Sequence, residues 1–567
     1  METFRVQEAV CAELKRQGVT EVFGLMGEDV AGLIAAIPES GLTYYSSRHE
    51  HGAIGLADGY ARVSDRVGVA VISRGPGLMN SLNALKTASK GGSALVVLAA
   101  DSAAGVSNAT VRVNAAKAPK HLEQAAILSA SGIRNITLDS PATAVADLAH
   151  AFERARDGAT IVVNLPLDVL QEPAGEDASQ FDLPHVIDRS APDAMQLSAV
   201  ADLLETCQRP VILAGRGAVR AGAKQALTAL AEQTGALLAT SLLARSMFAS
   251  DPFNAGLFGA FATPVASELF GEADVLLVFG ATLNGLQTYG GELAPKARIV
   301  QFDADPTAFG RFSPVDLEVL GDVEIAAVSL EQELAGRGHS HLGYRTPDVA
   351  DSLAAFDIRS IYTDETLPDA MDPRTLLIEL ESILPKNRTH VVDAGHHMSL
   401  QAEFLSVIDP EAWVWPLDFS SIGSGLAVAF GAALGRRDRP TVLGLGDGGL
   451  MMTLGELETA VRYRIPVTII LIDDSAYGAE VHFMDNDGLP TETAKFPEVN
   501  FEAVAKALGA DAMTVTELGQ LADLPERMQG LEGPLVVDCK INPSVRAHFI
   551  SIWGRLTKPL TAAPASV

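Results

Sequence analysis

Cysteine is scarce in this chain. Cys11, Cys207 and Cys539 are the only three in 567 residues, and they lack metal-ligand spacing. That excludes a disulfide framework and suits a reducing compartment. Basic residues are also few, 42 Lys and Arg against 71 Asp and Glu, for a formal charge of -29. Such a surplus argues against nucleic acid or an anionic membrane as main partner, although it equally serves general solubility. No apolar run reaches membrane-spanning length and no low-complexity segment occurs. The opening Met-Glu-Thr-Phe-Arg-Val-Gln-Glu does not have the form of a signal peptide. A cytoplasmic location is the expectation. Nearly half the residues are apolar, so large cores can form, and the length calls for three or so domains.

The stretch from Pro440 to Glu480 says most about function. Thr441 to Leu445 and Val467 to Ile472 are short apolar runs rich in β-branched residues, which suits buried parallel strands. Between them Leu450, Leu454, Leu457 and Val461 recur at helical spacing, completing a βαβ unit. A right-handed crossover puts both strand tips at the carboxyl edge of the sheet, where open α/β sheets bind ligands. The tips carry Gly446-Asp447-Gly448-Gly449 and Asp473-Asp474-Ser475-Ala476, so Asp447 and Asp474 are expected to converge. Carboxylates and turn carbonyls are hard oxygen ligands for Mg²⁺ or Ca²⁺, and the glycines admit a phosphate at a helix start. Gly-Asp-Gly is also ordinary turn chemistry.

The first 180 residues alternate strand and helix patterns. Strands are expected at Glu21–Met26, Leu42–Ser46, Val67–Ser73 and Ala94–Ala99, with helices from Val6, His51 and Leu78. A distant repeat links the two ends of the chain. The twelve residues from Gly77 to Ala88 match those from Gly449 to Ala460 at 7 of 12 positions, and Asp101 to Gly105 echoes Asp474 to Gly478. Two domains of one topology would explain it, chance likeness of amphipathic helices being the alternative. Glu50 stands where a strand ends and a small-residue helix begins, with Ala53, Ala57 and Ala61 on one face. Close packing there would desolvate its carboxyl in part, although a first-turn acid also favours a helix by itself. A linker is expected from Glu172 to Pro192, and a separate α/β unit over 193–340 shows strand-then-glycine patterns at Gly215-Arg-Gly217 and Gly280. Those are weak nucleotide signals without a further glycine and a ribose acid. Gly336 to Asp372 is polar, Met484 to Pro490 reads as a mobile segment, and the tail after Trp553 as a flexible end.

In its Gly446–Gly449 and Asp473–Asp474 pattern, and in segments from Glu8 to about Asn542, the chain resembles the thiamine-diphosphate superfamily of acetolactate synthases, pyruvate decarboxylases and benzoylformate decarboxylases. The resemblance implies an α/β fold of three consecutive doubly wound parallel-sheet domains: pyrimidine-binding over 1–180, central over 193–340, and diphosphate-binding over 365–550. It implies thiamine diphosphate held through Mg²⁺ (or Ca²⁺) by the side chains of Asp447 and Asp474 and the carbonyl of Ala476. Gly446, Gly448, Gly449 and Tyr477 would border the cofactor, as would Gly395, His396 and His397 at the diphosphate, with His397 also facing substrate. Ser420 and Ile422 lie in the loop whose bulky residue wedges under the bent coenzyme. Glu50 would be the activating acid, Asn80 a neighbour of the pyrimidine, Glu480 a proton relay, and Glu123 an acid near the reacting centre. Two departures stand out: Asp473 replaces the family's usual Asn, and Arg74 a small residue. FAD is possible in the central domain but not favoured, since Thr282 and Asn284 replace the flavin-binding branch's Arg-Phe-Asp run. The implied activity is carbon-carbon bond cleavage or formation on a 2-oxo acid or related ketone, acetolactate-synthase-like decarboxylation or carboligation. An acyloin or diketone lyase or hydrolase is the alternative, and a silent cofactor-binding homologue a third reading. The implied partners are a small carbonyl substrate and further copies of the chain, in a homodimer or homotetramer with active sites at subunit interfaces.

Overall fold

The computed structural model describes residues 4–102, 117, 119–174, 189–548 and 550. The end of the Asp101–Gly105 echo, most of the expected linker and the tail after Trp553 lie outside the described residues.

Three six-stranded sheets follow one another along the chain, each with all its strands parallel. The first contains β1 (Glu21–Gly24), β2 (Thr43–Ser46), β3 (Gly68–Ile72), β4 (Leu95–Asp101), β5 (Arg134–Thr137) and β6 (Thr160–Pro166), in the order β2-β1-β3-β4-β6-β5. The second contains β7 (Pro210–Ala214), β8 (Leu237–Thr240), β9 (Asn254–Leu257), β10 (Val275–Phe279), β11 (Arg298–Asp303) and β12 (Leu317–Leu320), ordered β12-β11-β10-β7-β8-β9. The third contains β13 (Thr389–Val392), β14 (Trp413–Val414), β15 (Thr441–Gly446), β16 (Val467–Asp473), β17 (Asp511–Val515) and β18 (Leu535–Lys540), ordered β14-β13-β15-β16-β18-β17. Helices cover both faces, which is why central strands such as β3 and β16 are buried at every residue. No helix among the described residues is long and apolar enough to cross a membrane.

The first and third sheets share one strand order, counted from their own first strands. The twelve-residue similarity falls at equivalent places in them. Gly77–Ala88 lies in the helix Pro76–Gly91 after β3, and Gly449–Ala460 in the helices Asp447–Thr453 and Gly455–Arg462 after β15. The repeat is therefore a topological one.

The helix expected from Leu450 begins at Asp447 itself and is interrupted at Leu454. Of the stretch Met484–Pro490, the first three residues end the helix Gly478–Asn486, where Arg546 holds Asp485 and Asn486, and the rest is turn and irregular backbone. The polar stretch after Gly336 contains a further helix, Pro347–Ala354, capped by Thr346.

Two helices join the first and third sheets. Glu50–Val63 and Gly425–Gly435 cross so closely that a Cβ on Gly59 would collide with the Val428 carbonyl, and one on Gly431 with the Leu56 carbonyl. Alanines 53 and 57 are buried as expected, but glycines make the closest approach. Beside this crossing the buried Arg62 guanidinium donates to Asp58 (2.8 Å), Asp418 (3.0 Å) and the Trp415 carbonyl (3.3 Å). Arg216 of the central unit donates to the Gly91 carbonyl (2.6 Å), so all three units share one junction.

Candidate active site

β15 and β16 are neighbours in register, Gly446 opposite Ile472, which brings their carboxyl tips together. Gly446 is the N-cap of the next helix and Asp447 its first residue, so the carboxylate sits at the positive end of the helix. On the adjoining tip Asp473 Oδ1 accepts the Ser475 N–H (2.9 Å), supporting a turn in which Ser475 takes φ +54°. That turn presents Asp474 and Ala476 toward the helix start. Burial pushes the Asp447 carboxyl up to about 8, with the charges of Asp474 and then Asp473 adding to the effect. Burial and the charge of Asp473 likewise push Asp474 up to about 7.

These tips border a cavity of about 290 Å³. It brings together Gly395, His396, His397, Ile422, Gly446, Asp447, Gly448, Gly449, Asp474, Ala476, Tyr477 and Glu480 of the residues expected from sequence. Small residues are needed at its floor. A Cβ on Gly448 would lie 2.6 Å from the Tyr477 ring, and one on Gly446 3.2 Å from the His397 ring. The two histidines differ. His396 Nε2 accepts the Ala547 N–H (2.8 Å) and its ring packs on His482, whereas His397 Nε2 is buried without a hydrogen-bond partner among the described residues. Burial lowers both, to about 3 and about 4, so both imidazoles are neutral near pH 7.

Four expected residues lie elsewhere. Glu50 is buried at the start of its helix and accepts a hydrogen bond from Asn80 Nδ2 (3.0 Å), but neither lines this cavity. Ser420 precedes the Ile422 turn in a left-handed conformation (φ +57°) without reaching the cavity. Glu123 is an exposed loop acid 3.2 Å from His121 Nε2.

Three supporting residues were missed from sequence. Asp393, fully buried at the end of β13, accepts the N–H groups of Gly423 (2.8 Å) and Gly425 (2.9 Å), gripping the turn that carries Ile422. Burial lifts its carboxyl to about 6 against the downward pull of these amides. Glu456 crosses from the third unit to accept the N–H groups of Arg48 (3.1 Å) and His49 (3.0 Å), just ahead of the Glu50 helix. A Cβ on Gly52 would collide with it. Lys540 pairs with Asp473. Asp393 had a readable signal, an acid at a strand end; the other two depend on partners distant in sequence.

Among the described residues no group of three or more His, Cys, Asp or Glu side chains is arranged to hold a metal. The buried Asp447, pushed up by its desolvation and by the charge of the half-buried Asp474, lies beside a carbonyl-bearing turn, and together they form a hard-oxygen donor set that a divalent cation would relieve. Glycine backbone at a helix start and the unpartnered His397 Nε2 suit the diphosphate such a cation would carry.

Three parallel α/β units, the outer two of one topology, with an acidic and glycine-lined cavity on the last, define a cofactor-dependent enzyme architecture. Three descriptions match along the chain: "Thiamine pyrophosphate enzyme, N-terminal TPP binding domain" over residues 4–127, "central domain" over 197–330, and "C-terminal TPP binding domain" over 393–539. The chain belongs to the thiamine pyrophosphate enzyme family and is a thiamine-diphosphate-dependent enzyme. It is 29% identical over 539 residues to a sulfoacetaldehyde acetyltransferase of Castellaniella defragrans, covering 90% of this chain and 88% of that one. It is 26% identical to a probable acetolactate synthase large subunit of Methanocaldococcus jannaschii (98% and 96% covered). With a probable 2-ketoarginine decarboxylase of Pseudomonas aeruginosa it shares 29% identity (84% and 83% covered). Its fold is that of a thiamine diphosphate-dependent 4-hydroxybenzoylformate decarboxylase from Rhodococcus jostii RHA1, with a TM-score of 0.80 at 19% identity over 95% of this chain and 99% of that one.

Proposed function

We propose that the protein decarboxylates a small 2-oxo acid and passes the acyl fragment on, as a decarboxylase or carboligase of the acetolactate-synthase kind. The Asp447–Asp474 pair at the adjoining strand tips carries this reading, as the anchor for Mg²⁺ (or Ca²⁺) and through it the diphosphate. When bound, thiamine diphosphate supplies a thiazolium that accepts the electron pair released by carbon-carbon cleavage. The chain's own residues divide the remaining work. Asp447 and Asp474, with the Ala476 carbonyl, would hold the metal, and His397 would donate to the diphosphate. Ile422, whose turn is gripped by Asp393, would pack against the coenzyme, and Gly395, Gly449 and Tyr477 would border it. Glu50, with Asn80 beside it, would hydrogen-bond the pyrimidine, and Glu480 at the cavity rim would exchange protons with the substrate. The relatives' names divide among transferase, synthase and decarboxylase, which supports a carbonyl substrate without selecting one.

All residues lining the cavity come from position 394 onward, while Glu50 and Asn80 do not reach it. One coenzyme is therefore assigned to the cavity of one copy and Glu50 of another, in a homodimer or a tetramer built from dimers. The central unit is assigned as a spacer. At its β7/β10 switch point Gly215 donates to the Phe279 carbonyl (2.8 Å) and Gly217 to the Gly280 carbonyl (3.0 Å). Those amides are thus engaged with protein rather than free for a dinucleotide phosphate. The three free, buried cysteines fit a cytoplasmic setting.

The test is calorimetric titration of thiamine diphosphate with Mg²⁺, followed by a screen of 2-oxo acids for carbon dioxide release. Asp447→Ala should weaken cofactor binding more than about 100-fold, since loss of even an outer-shell partner costs 10- to 100-fold. Unchanged binding in that variant would overturn the anchor. Cleavage of acyloins without carbon dioxide release would overturn the decarboxylase reading in favour of a lyase.

A further inference from the structure

The Nδ1 atom of His397 is held by a chain of buried side chains that reaches away from the cavity. Gln401 Nε2 lies 2.8 Å from His397 Nδ1, and Gln401 Oε1 lies 2.9 Å from His390 Nε2. All three residues are at most 5% exposed. His390 stacks on Trp413 with ring centroids 5.2 Å apart, which fixes its plane. Gln401 passes under β15 where Gly444 lies; a Cβ there would collide with the amide.

The protons in this chain follow from what each atom can do. With the Gln401 amide turned so that its Nε2 faces His397, the NH₂ can only donate, which makes Nδ1 of His397 the acceptor and leaves the ring proton to Nε2. An amide oxygen only accepts, so His390 carries its proton on Nε2. Among the described residues His397 Nε2 has no hydrogen-bond partner, and His397 borders the cavity. Its neighbour is set the other way, since His396 Nε2 accepts the Ala547 N–H and its proton belongs on Nδ1.

We infer that Gln401 and His390 are positioning residues that hold His397 as the neutral Nε2–H tautomer, a fixed hydrogen-bond donor aimed at the diphosphate end of the cavity. The role of the donor rests on the function proposed above, but the tautomer does not. A neutral donor suits this place because a charged imidazolium would be costly in a buried site, while an Nδ1–H tautomer would turn a lone pair toward the anion.

Two measurements test this. Long-range ¹H–¹⁵N correlation spectra of histidine-labelled wild-type protein, with the signal assigned by its loss in His397→Phe, should show Nε2 protonated and Nδ1 bare between about pH 6 and 8. An Nδ1–H tautomer or an imidazolium would overturn the inference, whether or not the coenzyme binds. Thiamine diphosphate affinity should fall about tenfold in Gln401→Met, the cost of one weakened hydrogen bond to a charged group. The same change should cost nothing further in a His397→Phe background. Equal losses in both backgrounds would show that Gln401 only supports the fold. Loss of binding in Asp447→Ala with the tautomer intact would leave this inference standing, and failure of that anchor would count against the functional reading alone.

Discussion

Asp473 and Lys540 stand opposite each other on the neighbouring strands β16 and β18, with Lys540 Nζ 2.5 Å from Asp473 Oδ2. The same ammonium lies 3.1 Å from the fully buried Asp538 and 3.3 Å from the Val499 carbonyl. The acid that replaces the family's Asn thus has its own counter-ion, and its other oxygen is occupied by the Ser475 turn.

Removing that counter-ion leaves two buried carboxylates unpaired. Lys540→Met should lower unfolding stability by about 3–5 kcal/mol, the usual cost of breaking a buried pair from one side. Asp473→Asn combined with Lys540→Met should recover much of it. Additive losses in denaturant titrations would mean that the pair is not coupled.

Glu50→Gln keeps an oxygen for Asn80 Nδ2 but cannot exchange the proton. Turnover should fall by about 10²- to 10⁴-fold, while thiamine diphosphate affinity stays within a few-fold of wild type. Steady-state kinetics and calorimetry on the same preparation separate the two effects, and unaltered turnover would remove Glu50 from the mechanism.

Gly59→Ala places a methyl against the Val428 carbonyl at the helix crossing. Backbone cannot yield as a side-chain tip can, so a loss of about 1–3 kcal/mol or more is expected. The reciprocal Gly431→Ala should cost a similar amount, read from denaturant midpoints.

Burial pushes the Glu403 carboxyl up to about 8, and its Oε1 has no hydrogen-bond partner among the described residues. A raised folded-state value favours the protonated form. Its contribution to stability is therefore complete below the ordinary carboxylate range and is lost as pH rises through about 8. Wild-type protein should lose thermal stability as pH rises from the ordinary carboxylate range to about 8, and Glu403→Gln should lose less of it. Parallel pH profiles for the two would refute the assignment.

The sequence alone determined the parts that depend on local pattern. Apolar runs at Thr441–Leu445 and Val467–Ile472 lie within β15 and β16 because a strand buried on both faces must be apolar throughout. Their crossover required Asp447 and Asp474 to meet at one edge, and the repeated Gly77 and Gly449 segments foretold two sheets of one strand order. Tertiary structure decided the partners: Lys540 for Asp473, Glu456 for the loop ahead of Glu50, Gln401 and His390 behind His397. It also decided that Glu50 and Asn80 lie outside the cavity that their own chain provides. Pairs such as Arg48 and Glu456, 408 residues apart, leave no periodic trace in sequence, because the distance between them is set by how whole sheets and helices pack.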